Sequence, residues 1–142
     1  VLTPVELHSR FEVYSEQYVR SIELEAKLML EMATTLIYPA AITYLSALSG
    51  TYAQLSSLKI TLDTGVADAV AKEADALMSA IGNLKTMSAK HDFDSVQAHM
   101  TYLAHDVRGA MNTLRDHADA LESLIADNFW PLPKYRARLF IK

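Results

Sequence analysis

The 142-residue chain has no cysteine. This excludes disulfides, thiolate metal centres, iron–sulfur clusters and cysteine nucleophiles, and it fits a reducing compartment. Glycine and proline are scarce, four of each, too few to punctuate a chain of many short strands and tight turns. The glycines stand alone at 50, 65, 82 and 109, so no glycine-rich phosphate loop is available. No uninterrupted apolar run reaches the ~18–20 residues of a membrane span. The opening VLTPVELHSR has neither a basic start nor the apolar stretch of a secretory signal. It begins on Val rather than Met, which reads as a cut from something longer.

What is present is apolar (51%) with moderate charge (21%), the composition of one folded domain. The net charge of −4 argues against a general nucleic-acid or anionic-membrane surface, so neither is expected as a partner. The charge is uneven. Residues 1–38 carry six acids and three bases, whereas 131–142 carry Lys134, Arg136, Arg138 and Lys142 and no acid.

The order of residues predicts an all-α fold. Thr3, Pro4 and Glu6 make a helix start with a capping box. Apolar positions then recur by threes and fours at Leu7, Phe11, Tyr14, Tyr18, Ile22, Ala26, Met29, Ala33 and Leu36, one face of a helix. Pro39 interrupts the pattern, but the stripe resumes at Ala41, Leu45, Leu48, Tyr52 and Leu55 without turn residues. That reads as a kink, not a reversal. The expected elements are a helix at about 4–58 kinked at Pro39, a helix at about 64–90, a helix at about 93–128 capped by Asp92 or Asp94, and a tail over 129–142. The second helix shows Val66, Val70, Ala74, Leu77, Ile81 and Leu84 inward. The third shows the seam Val96, Met100, Leu103, Val107, Ala110, Leu114, His117, Leu121 and Leu124. Trp130-Pro131-Leu132-Pro133 enforces an extended stretch.

These elements make an antiparallel helical bundle with a long, Pro-kinked first helix and an extended C-terminal tail. At 1.5 Å per residue the helices span ~80, ~39 and ~52 Å. The two shorter ones cannot cover the whole of the first. With residues 41–58 in the bundle, the aromatic half from Leu7 to Tyr18 overhangs, and an uncovered stripe of that width reads as an interface. Leu7, Phe11, Tyr14 and Tyr18 are its expected contacts, with Trp130 and Tyr135 anchoring the tail.

No catalytic, cofactor or metal residue is expected. His99 and Asp106 share a helix face with Tyr102 between them, but a zinc site wants three or four converging ligands. Di-iron bundles want Glu-x-x-His on two helices, which the sequence lacks. Glu12, Glu16, Glu23 and Glu31 decorate one helix beside Arg and Lys, a solvated face and not an acid–base pair. His117 falls on the apolar seam. A buried histidine held by a hydrogen bond is the plain reading, and a ligand site between helices is the functional one.

Two ends of the chain are familiar. Leu7-His8-Ser9-Arg10-Phe11-Glu12-Val13-Tyr14, followed by Glu16-Gln17-Tyr18, resembles the start of the C-terminal helical region of type III glutamine synthetases. His117-Ala118-Asp119-Ala120-Leu121-Glu122 resembles that family's last long helix, and Asp127 through Trp130-Pro131-Leu132-Pro133-Lys134-Tyr135-Arg136, then Leu139-Phe140, its closing segment. Between about 50 and 100 the likeness is compositional only. The resemblance implies a non-catalytic appendage of a cytoplasmic, bacterial ligase of nitrogen metabolism that condenses glutamate with ammonia using ATP and a divalent metal such as magnesium. It also implies partners: the catalytic region of the parent enzyme and neighbouring subunits of a homo-oligomer. The alternative is a free-standing binding or sensor module with a ligand near His117.

Overall fold

The computed structural model describes residues 1–134. Among them there is helix and no strand. The first rod runs unbroken from Pro4 to Ser57, 54 residues, or ~81 Å. It comprises α1 (Pro4–Met32), one wide π-turn (Ala33–Ile37) and α2 (Tyr38–Ser57). The second rod is α3 (Gly65–Ser88). The third comprises α4 (Val96–Tyr102), a second π-turn (Leu103–Val107) and α5 (Arg108–Leu124). A 3-10 turn over Asp127–Phe129 follows.

The capping box forms. Thr3 Oγ1 accepts from the Glu6 N–H at 3.2 Å, and the Glu6 carboxylate accepts from the Thr3 N–H at 2.8 Å. The chain does not reverse at Pro39. The preceding turn widens, so that the Tyr38 N–H donates to the Ala33 carbonyl five residues back. This is how an α-helix takes in a proline: the carbonyl its ring strikes is moved aside.

The first π-turn inserts one residue into the apolar pattern and moves the buried face one position on; beyond the second, Leu114 and Leu121 keep their expected buried places. Ile37 is buried in place of Leu36, which is exposed. In the third rod Met111 and Ile125 are buried, while Ala110 and Leu124 are only half-buried. The even seam expected through Ala110, His117 and Leu124 is thus corrected. Val66 and Val96, expected inward, are exposed at helix starts. The third rod begins at Val96, not 93. Its cap is Ser95, whose Oγ accepts from the Ala98 N–H at 3.0 Å, and neither Asp92 nor Asp94 fills that role.

The core also sits differently along the first rod. Its buried residues are Ser15, Ile22, Ala26, Ala33, Ile37, Ala40 and Ala41, so the core extends toward the start of the rod, while α2 packs on α3 with Tyr44 and Leu45 against the core, as expected of 41–58. The seven-residue link after Ser57 brings α3 back antiparallel, and the third rod starts as far along as Phe11 and Tyr18. Alanines on the first rod let α3 approach closely, and Leu77, Leu84, Leu121 and Ile125 fill the space between. Each such side chain contributes about 1.5–3 kcal/mol by leaving water. The Tyr102 hydroxyl donates to the Met87 carbonyl at 3.0 Å, tying α4 to the end of α3. Phe129 packs on Tyr44 at 5.3 Å, docking the last turn on α2.

The absence of a continuous apolar run understated the first rod. By length and composition, it is the one helix among the described residues long and apolar enough to cross a membrane, and 22% of its most apolar stretch is buried.

Candidate functional site

The expected stripe divides at the third rod. Leu7 is 61%, Phe11 48% and Tyr14 62% exposed. Phe11 shares a cleft with Tyr18, Met100, Thr101 and Ala104, so α4 covers one side of its ring. Tyr18 packs against the core. The bare surface is therefore shorter than Leu7–Tyr18. It extends instead to Val5 and Val13, both exposed. Val13 and Tyr14 form a shallow apolar hollow with Arg10 and Gln17. Beneath the stripe the fully buried Ser15 satisfies itself, its hydroxyl donating to the Phe11 carbonyl at 2.7 Å.

Trp130 is not part of any outer surface. At 8% exposure it lies in the core and anchors the chain after α5. Lys134 beside it reaches back to the Ile125 carbonyl and lies 3.0 Å from Asp127. Tyr135, the other tail contact, lies outside the described residues.

Each histidine except His105 meets an acid. His8 lies 3.0 Å from Glu12 on the bare end of α1. Half-buried His117 is held by Glu73 of α3, Nδ1 to Oε2 at 2.8 Å. This pair links α3 to α5. His99 does not pair with Asp106. Its Nε2 points at Glu23 Oε1, 3.6 Å away, and His91 Nδ1 approaches the same oxygen at 3.8 Å. Three groups from α1, the α3–α4 link and α4 converge, a cluster that helical spacing cannot reveal because Glu23 comes from a distant segment. The only hint in the sequence is the pair of histidines flanking the Ser95 cap.

The sequence model described as "Glutamine synthetase C-terminal domain" matches residues 1–56. The whole chain is 29% identical to a type-3 glutamine synthetase of Dictyostelium discoideum and 30% identical to a glutamine synthetase of Bacteroides fragilis. A glutamine synthetase of Butyrivibrio fibrisolvens is 28% identical over 99% of the chain. The chain spans only about a fifth of the length of these relatives, 20%, 21% and 21%. One of the three is from Dictyostelium, so the likeness does not assign a bacterial source. Along its whole length the chain is thus similar to about a fifth of two glutamine synthetases, one of them type-3, and its residues 1–56 match the model of the glutamine synthetase C-terminal domain.

Proposed function

We propose that the chain is a non-catalytic assembly domain. It packs Leu7, Phe11 and Tyr14 against the catalytic region of its parent enzyme and so supports a homo-oligomer. On this reading ATP, a divalent metal such as magnesium, and the condensation of glutamate with ammonia belong to that region. The setting is cytoplasmic, and neither nucleic acid nor membrane is a partner. The observation that carries the reading is the bare end of the first rod: a capped, helical, ring-bearing face that the other helices of the described residues leave largely uncovered, α4 reaching one side of Phe11. The share of the relatives' length supplies the occupant, since about four fifths of a glutamine synthetase of this kind lies outside the segment matched here.

The test is the pair Phe11→Ser and Tyr14→Ser in the full-length parent enzyme, followed by sedimentation. The expected result is dissociation to smaller species at concentrations where the unsubstituted enzyme stays assembled. The isolated chain should show neither γ-glutamyl transfer nor ATP turnover. It should self-associate through the same patch used twice, and the two serines should loosen that association. An intact, fully active oligomer carrying both serines refutes the proposal.

A further inference from the structure

We infer that Glu23, His91 and His99 form a divalent-metal site, and that its ion is Zn²⁺. The three donor atoms, one carboxylate oxygen and two imidazole nitrogens, all lie within 4.8 Å of one another. In a tetrahedral zinc site with bonds of ~2.0–2.1 Å, ligand atoms stand about 3.3–3.4 Å apart. The separations from the Glu23 oxygen, 3.6 and 3.8 Å, need to close by only a few tenths of an ångström. The residue that would move most is free to do so, since His91 is exposed and sits in the link between α3 and α4.

The other two are placed by the fold. Glu23 is one turn from buried Ala26 on α1. The His99 ring is stacked on Phe93 at 4.3 Å with 14° between the planes, which fixes its orientation. Its Nε2 is buried and has no hydrogen-bond partner. Ser88 Oγ is buried and unpartnered as well. Both residues line one cavity of about 320 Å³, together with Glu23 and His91 and with Leu103 and Val107 of the second π-turn. Two unsatisfied polar atoms facing one apolar-walled cavity call for a ligand that accepts lone pairs.

The donor set selects the ion. Imidazole nitrogens suit zinc and its neighbours, whereas magnesium and calcium prefer all-oxygen sites. Two neutral imidazoles, one carboxylate and an open fourth position are a known zinc arrangement. Lysines also line the cavity, but Lys27 and Lys85 are exposed, and the Lys90 ammonium is drawn away over the Phe93 and Tyr102 rings at 5.2 and 5.1 Å. A bound ion would clamp α1 to the α3–α4 link and to α4, a helix that has no fully buried residue of its own.

The experiment titrates the 142-residue chain with Zn²⁺, using Mg²⁺ as the control, and reads calorimetry, Tm and the visible spectrum of the Co²⁺-loaded protein. The expected result is one Zn²⁺ per chain and visible Co²⁺ bands of a low-coordinate site. Tm should rise by about 9 °C at free zinc a hundredfold above Kd, with no response to Mg²⁺. His91→Ala, at an exposed position that leaves the fold intact, and Glu23→Gln should each weaken binding roughly tenfold or more. His8→Ala, at the distant His8–Glu12 pair, should change nothing. No Tm response and no Co²⁺ bands would overturn the assignment. So would binding that survives His91→Ala and Glu23→Gln together.

Discussion

Deleting Thr35 should cost this domain about 3 kcal/mol, and replacing Pro39 by Ala in the same chain should restore most of it. In an unbroken α-helix each residue turns by about 100°. From Ile22 to Ala41 the buried face would then drift about 100° around the rod, and these two residues could not both face α3. The widened turn over Ala33–Ile37 absorbs one residue and keeps Ile22, Ala26, Ala33, Ile37 and Ala41 in one stripe. Removing Thr35, which is exposed and whose hydroxyl bonds only its own helix at the Glu31 carbonyl, leaves a plain α-helix with the same residues aligned. Packing is kept, but the proline now faces the carbonyl four residues back, with one ladder bond lost.

That penalty is about 3 kcal/mol relative to alanine. For 142 residues the unfolding entropy is about 0.3 kcal/mol per degree, so the deletion should lower Tm by about 10 °C. With Pro39→Ala added, Tm should return to within about 3 °C of the parent chain. Pro39→Ala alone, at an exposed position, should shift it little, because packing on both sides holds the wide turn. Thermal melts followed by circular dichroism at 222 nm give all four corners of the cycle. The reasoning fails if the deletion melts with the parent chain, or if the alanine brings no rescue.

Three other outcomes follow from the packing. Leu77→Ala, at a fully buried position against α5 and the first rod, should lose about 2–5 kcal/mol in urea unfolding. Phe11→Ser with Tyr14→Ser should lose far less in the isolated chain. Ser95→Ala removes the one side-chain cap of α4 and should cost about 1 kcal/mol, read as a lower urea midpoint at unchanged slope. The half-buried His117–Glu73 pair should show a coupling of about 0.5–1.5 kcal/mol in a double-mutant cycle of His117→Gln and Glu73→Gln.

Much of this was readable because it is local. A capping box, an apolar period and a proline without turn residues around it are each decided within a few positions, and Thr3, the Leu7–Tyr18 stripe and the uninterrupted rod at Pro39 carried those signals. What stayed hidden depends on partners far along the chain. The second π-turn has no proline to announce it. That Met111 and Ile125 are buried more deeply than Ala110 and Leu124 shows only when α5 is laid against α3. The position of the bundle along the first rod depends on how the link after Ser57 places α3, which periodicity does not encode. The Glu23 cluster needed α1 and α4 side by side.

Local bonds at the helix starts bear on how the bare end works. At the N-terminus of α3 the Thr64 side chain makes no capping bond, the Gly65 N–H donates to Asp63 Oδ1 at 2.6 Å, and that helix buries six residues. Helix α4 buries none and is capped by Ser95. The start of α1, where the first fourteen residues are exposed, has the full Thr3–Glu6 box and the His8–Glu12 pair one turn on. Helix ends without tertiary cover fray unless local bonds hold them. Here local bonds stand where packing is missing, so the Leu7, Phe11 and Tyr14 face is helical before anything covers it. A docking partner then meets an ordered surface and avoids most of the entropy cost of folding a segment on contact. The same logic locates the vulnerable point: Thr3→Ala should leave the melting of the core unchanged while weakening self-association, because it loosens the face that docks and not the bundle that carries it.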